Sequence, residues 1–137
     1  MKNVLTSLAL ITLCTVMATA QNVKGDWYVG TGDIANVAWT DWSVAPTLGY
    51  AINDNLAIGV NLAQADSTAD MVIDMTAKYF WKGYFVYGEL PNLDAEMLRI
   101  GFGKMFTLRQ GIYVDPKIVH DMNMGTTNLM LGVGLKF

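Results

Sequence analysis

Cysteine occurs once in the 137 residues, at Cys14, and histidine once, at His120. A single cysteine excludes a disulfide framework, so an exported domain of this size must be held by its own packing or by a membrane. Charge is also scarce. Asp, Glu, Lys and Arg make up 15% of the chain and sum to a formal net charge of −3, which argues against a nucleic-acid binder. After residue 20 no stretch approaches the roughly 18 uninterrupted apolar residues of a membrane helix. The 53% hydrophobic content excludes a disordered chain, and the length allows one domain.

What is present begins with a leader. Lys2 precedes an apolar run from Leu5 to Met17, and Ala18-Thr19-Ala20 supplies small residues at cleavage-type positions. This pattern predicts a secretory signal peptide over residues 1–20 and a single domain over 21–137. Two alternatives are weaker. A retained helical anchor would need a longer run than this one, and acylation of Cys14 would need a small residue where Leu13 stands.

Beyond the leader, hydrophobic residues alternate with a period of two. Leu129, Leu131, Val133, Leu135 and Phe137 share one face, opposite Asn128, Met130, Gly132, Gly134 and Lys136. The same alternation sets Met71, Ile73, Met75, Ala77, Tyr79 and Trp81 against Val72, Asp74, Thr76, Lys78 and Phe80. It recurs over 42–52 and 56–63, where Ala and Gly oppose the large residues, and more weakly over 25–32, 84–89, 97–106 and 112–119. Strands satisfy this pattern and amphipathic helices do not. Eight strands of about ten residues, long enough to cross a bilayer when tilted, fit the chain and leave room for seven connections. Pro46 and Pro116 cannot donate to a ladder, so each is expected at a strand end or a bulge.

The expected connections are 33–41, 53–55, 64–70, 82–83, 90–96, 107–111 and 120–126, alternating long and short. A three-residue turn at Asn53-Asp54-Asn55 would pair Tyr50 with Ile58 and Leu48 with Val60, and a two-residue turn at Lys82-Gly83 would pair Trp81 with Tyr84 and Tyr79 with Val86. Both keep apolar faces together. The predicted fold is all-β, an eight-stranded antiparallel up-and-down transmembrane β-barrel.

These residues resemble the small bacterial outer-membrane β-barrels of the eight-stranded OmpA/OmpX type. That family ends in a strand with a glycine, an apolar residue and a terminal aromatic read by the barrel-assembly machinery. Gly132, Leu135 and Phe137 occupy those positions here, while Met130 stands where the pattern prefers a polar residue. The resemblance implies location in the outer membrane, with outer-membrane lipids and the assembly machinery as partners.

With lipid as the outer solvent, aromatics are expected at the two interfaces. Tyr50, Tyr79, Trp81, Tyr84, Phe106, Tyr113 and Phe137 lie near the short turns, and Trp39 and Trp42 near the first long loop. The other strand face would point into the barrel, where charge must be paired. Its candidates are Asp74, Lys78, Glu89, Arg99, Asp115, Lys117 and Lys136, with Lys78 placed diagonally to Glu89 across the 82–83 turn. The longer connections carry Asp33, Asp41, Asp66, Asp70, Asp94, Glu96 and Asp121. This acidic rim would suit divalent cations bridging lipopolysaccharide phosphates, or act simply as a solvated surface.

Catalysis finds no support, because no serine or cysteine nucleophile joins His120 and Asp121 in an identifiable motif. His120, Met122 and Met124 would offer soft ligands to Cu(I), although a loop position explains them as well. No cofactor is expected. The leading expectation is a non-enzymatic envelope barrel acting through its loops. A soluble lipocalin-like barrel for a small apolar ligand, with an apolar interior, is one alternative; a narrow channel or oligomeric pore is the other.

Overall fold

A computed structural model describes residues 22–35, 46–63, 70–108 and 111–137. The period-two stretches form strands β1 (Trp27–Ala35), β2 (Thr47–Ala51), β3 (Leu56–Ala63), β4 (Val72–Trp81), β5 (Tyr84–Leu90), β6 (Arg99–Lys104), β7 (Phe106–Thr107), β8 (Ile112–Asp121) and β9 (Thr126–Lys136). All pair antiparallel in the order β6-β5-β4-β3-β2-β1-β9-β8-β7, and a further β6–β8 pairing closes the sheet on itself. β6 and β7 are one strand interrupted at Met105, so the molecule is an eight-stranded antiparallel closed barrel.

Pro116 gives the physical reason for the interruption. It pairs with Leu131 on one side, and its carbonyl faces Gly103 of β6 on the other. A proline has no amide proton to return on that side, and the β8 ladder breaks opposite it before resuming at Phe106–Val114. Pro116 is therefore neither at a strand end nor in a bulge. Pro46 does precede its strand, and its carbonyl accepts from the Leu62 amide at 2.9 Å.

Turn chemistry sets the register. Lys82 and Gly83, both with positive φ (51° and 82°), make the two-residue turn that matches strand twist, and they align Trp81 with Tyr84 and Tyr79 with Val86. Asn53 organises the β2–β3 turn by accepting from the amides of Asn55 and Leu56, which aligns Tyr50 with Ile58 and Leu48 with Val60. Among the described residues a register shift lies between β1 and β9, where β1 takes an extra residue between the Gly30–Gly134 and Asp33–Gly132 pairs. This bulge carries β1 to Ala35, past the expected end at residue 32.

The last connection is shorter than expected. β8 runs to Asp121 and β9 starts at Thr126, leaving 122–125 as the turn. Thr126 and Thr127 are β-branched and extend the ladder, pairing with Asp121 and His120. One end of the barrel thus carries the turns 52–55 and 82–83 with the end of β7 and the start of β8, and the other carries 91–98 and 122–125.

Candidate functional site: the barrel interior and its rims

Alternate residues of the strands point inward where their side chains are described, and the interior falls into three layers. At the short-turn end Tyr28, Phe80, Phe85, Met105 and Tyr113 are buried together with Ala51 and Ala57. Tyr28 lies 5.7 Å from Tyr113, edge to face, and Phe80 5.7 Å from Phe85. The Tyr28 hydroxyl donates to Asn22, whose amide donates to the Asn53 carbonyl at 2.6 Å, so this end is polar-stitched as well as packed. The sequence reading did not single out this aromatic plug. Its signal was the parity of Phe80 with Lys78 and of Tyr113 with Asp115.

Tyr113 accordingly corrects an expectation. It is not an interface aromatic but a buried interior one, 4% exposed, because it shares its strand face with Asp115 and Lys117. Glycines make room for it: a Cβ on Gly134 would lie 2.6 Å from its hydroxyl and one on Gly30 2.8 Å. Tyr50, Tyr79, Trp81 and Tyr84 do face outward near the short turns. Trp39 and Trp42 lie outside the described residues.

The middle layer holds charge. Lys78 is ion-paired with Asp115 from the opposite wall, and Asp115 is 1% exposed. Lys117, also buried, sets its ammonium 4.4 Å from the centre of the Tyr87 ring. The expected diagonal reach of Lys78 to Glu89 is replaced by this contact across the barrel. Between the cluster and the glycine-lined wall of β1, β2, β3 and β9 lies a cavity of about 50 Å³, bordered by Thr47, Asn61, Thr76 and Gly132. By the usual volume of about one probe sphere per water (~10–15 Å³), that is room for a few waters.

The third layer lies toward the longer connections. Arg99 donates to Glu89 at 3.2 Å and to Asp121 at 3.0 Å, and the Tyr87 hydroxyl donates to Glu89 at 2.6 Å. Asp121 also accepts from the amides of Asn123 and Met124, fixing the turn. Placed at the rim by the sequence reading, it is an interior residue of the same parity as Asp115. Asp74 is buried and accepts from the Asn92 amide at 2.8 Å, tying the 91–98 connection to the wall. Lys136 stands apart, at the opposite end, paired with Asp26 at 2.9 Å.

Of the acidic rim, Asp94 caps a 3-10 turn through the Glu96 amide, Asp70 precedes β4, and Asp33 lies within β1. Asp41 and Asp66 lie outside the described residues. His120 sits in β8 with its ring nitrogen 2.9 Å from the Thr127 hydroxyl, while Met122 and Met124 project from the following turn. Gly132 is interior, and Leu135 and Phe137 face outward; Phe137 exchanges both backbone bonds with Trp27.

The outer surface carries many large apolar side chains. Trp27, Val29, Leu48, Ile58, Ile73, Met75, Val86, Ile100, Phe102, Ile118 and Leu129 are all exposed on it. No family model matches the chain, and no curated protein is significantly similar to it.

Proposed function

We propose that this chain is a non-enzymatic integral outer-membrane β-barrel that contributes to envelope structure or surface interaction through its short acidic loops. The observation that carries the reading is the inversion of polarity. Asp74, Glu89, Asp115, Lys117 and Asp121 are buried inside the barrel, while among the described residues many Val, Ile, Leu, Met and aromatic side chains are exposed on its outside. Soluble monomers rarely expose an apolar patch beyond a few hundred Å², whereas a barrel in lipid requires one. Closure supports the same reading, since a barrel leaves no unpaired strand edge for the hydrocarbon to solvate.

Outer-membrane lipids are then the solvent of that outer surface. Gly132, Leu135 and Phe137 are the segment offered to the barrel-assembly machinery, and divalent cations at the acidic rim remain part of the proposal. A lipocalin-like role is disfavoured by an interior with about 50 Å³ of free space and buried charges beside it, against roughly 300–1,000 Å³ for ligand pockets. A channel is disfavoured by the aromatic plug.

Membrane fractionation of the expressed protein tests the proposal, with gel mobility compared before and after boiling and far-UV circular dichroism of the detergent-solubilised form. We expect a β-rich protein that needs detergent and changes mobility on heating. A protein that stays in the periplasmic fraction without detergent overturns the reading.

A further inference from the structure

Among the described residues, two outward-facing lysines, Lys82 and Lys104, sit together at one corner of the barrel. The β4–β5 turn and the end of β6 lie side by side there, since Trp81 pairs with Tyr84 and Tyr84 pairs with Lys104. The Lys82 ammonium is 5.3 Å from the Trp81 ring centre, and that of Lys104 is 4.9 Å from Tyr84 and 5.2 Å from Phe106. Tyr84 and Phe102 stack at 5.7 Å with their planes 13° apart, and Trp81 and Phe102 are more than half exposed.

Acids at the same end are engaged elsewhere: Asp26 with Lys136, and Asp54 with the Lys24 amide at 2.9 Å. Among the described residues no carboxylate comes within ion-pair range of Lys82 or Lys104. Two ammonium groups therefore sit over aromatic rings, at the top of an apolar wall, without a protein anion between them.

We infer that this corner, formed by Trp81, Lys82, Tyr84, Phe102, Lys104 and Phe106, is a binding site for one anionic phospholipid. The two ammonium groups hold its phosphodiester, and an acyl chain lies along Phe102. The inference rests on the membrane reading above and adds a partner at the end opposite the acidic rim. Charge complementarity selects an anionic headgroup over a zwitterionic one. A choline or ethanolamine group would bring a cation next to two lysines with no carboxylate to receive it. A lysine near an anionic membrane surface contributes about fivefold in affinity, and the effect decays within a Debye length.

The test uses the protein reconstituted in phosphatidylcholine vesicles containing a minor fraction of either brominated phosphatidylglycerol or brominated phosphatidylcholine. Quenching of Trp81 is isolated as the difference from Trp81→Phe. Phosphatidylglycerol should quench Trp81 with at least fivefold higher apparent affinity than phosphatidylcholine. The preference should vanish in Lys82→Gln/Lys104→Gln and survive in Lys24→Gln. If the double variant does not insert, the same preference in the unaltered protein should fall steeply in roughly 1 M salt, where the Debye length is about 3 Å. Equal quenching by both lipids, or a preference indifferent to both the double variant and salt, overturns the site and leaves the membrane barrel standing. Quenching by neither lipid, with the protein in the aqueous phase, overturns the membrane reading and the site together.

Discussion

Asp115 shows how one side chain sets the electrostatics of the interior. It is the acid between Lys78 and Lys117, two ammonium groups of which one is fully buried. Removing one partner of a buried pair leaves the other charge uncompensated, at a cost of about 3–5 kcal/mol. We expect Asp115→Ala to lower the unfolding free energy of the reconstituted protein in a urea titration by that order, and Lys78→Met/Asp115→Leu to recover part of it, because the apolar pair removes the Lys78 charge while Lys117 stays buried. Equal loss in the single and double variants would show that the site serves packing rather than charge. Steric limits are as local. A Cβ at Gly134 would run into the Val29 carbonyl oxygen of the neighbouring strand and meet Tyr113 at 2.6 Å, whereas one at Gly88 would meet nothing within 4 Å. Gly134→Ala should therefore cost about 1–3 kcal/mol in the same titration, and Gly88→Ala should be nearly neutral.

At the scale of elements, the ladder between β6 and β8 has an identifiable weak point. Pro116 faces β6 with a carbonyl but no amide proton, and the strand opposite breaks at Met105. Pro116→Val restores a donor without altering the outward apolar face. We expect slower amide hydrogen exchange along β6 and β8 around this point and a gain of about 0.5–1.5 kcal/mol, the net worth of one hydrogen bond. Unchanged exchange would mean that the interruption has another cause. Strand faces and hairpin registers were legible in the sequence because side-chain alternation and turn length are local. Tyr50–Ile58 and Trp81–Tyr84 follow from counting residues on either side of a turn. Contacts across the barrel were not legible. Lys78 meets Asp115, 37 positions away, because of strand stagger and the shape of the closed cylinder, neither of which leaves a periodic trace. Tyr113 and Asp121 were legible in principle, since parity groups both with Asp115, but their closeness to a turn suggested the rim. The β1 bulge inserts one residue without a proline or an unusual run to announce it.

For the whole molecule, the question is whether a closed barrel with a charged middle passes ions. Its cavity of about 50 Å³ borders the Lys78–Asp115 pair, with room for a few waters at the centre. Toward the short-turn end Tyr28, Phe80, Phe85, Met105 and Tyr113 fill the cross-section, with the Lys78 ammonium 5.1 Å from the Phe85 ring and 5.9 Å from that of Tyr113. Toward the other end Glu89, Arg99 and Asp121 form an ion-pair chain along the neighbouring strands β5, β6 and β8. An eight-stranded cylinder is just wide enough for such side chains to fill, so occlusion is the rule unless they are shortened. In planar bilayers the unaltered protein should give no discrete conductance steps. Phe85→Ala/Tyr113→Ala removes the two rings beside Lys78 and extends the central cavity toward the short-turn end. This variant should insert, retain its heat-dependent gel mobility and conduct in small resolved steps that favour anions, because the freed passage runs past Lys78 and Lys117. Steps of equal size in the unaltered protein would make the plug permeable and return a channel to the front of the functional readings. An inserted but silent double variant would place the barrier in the Glu89–Arg99–Asp121 layer instead, and Arg99→Ala in that background should then open it.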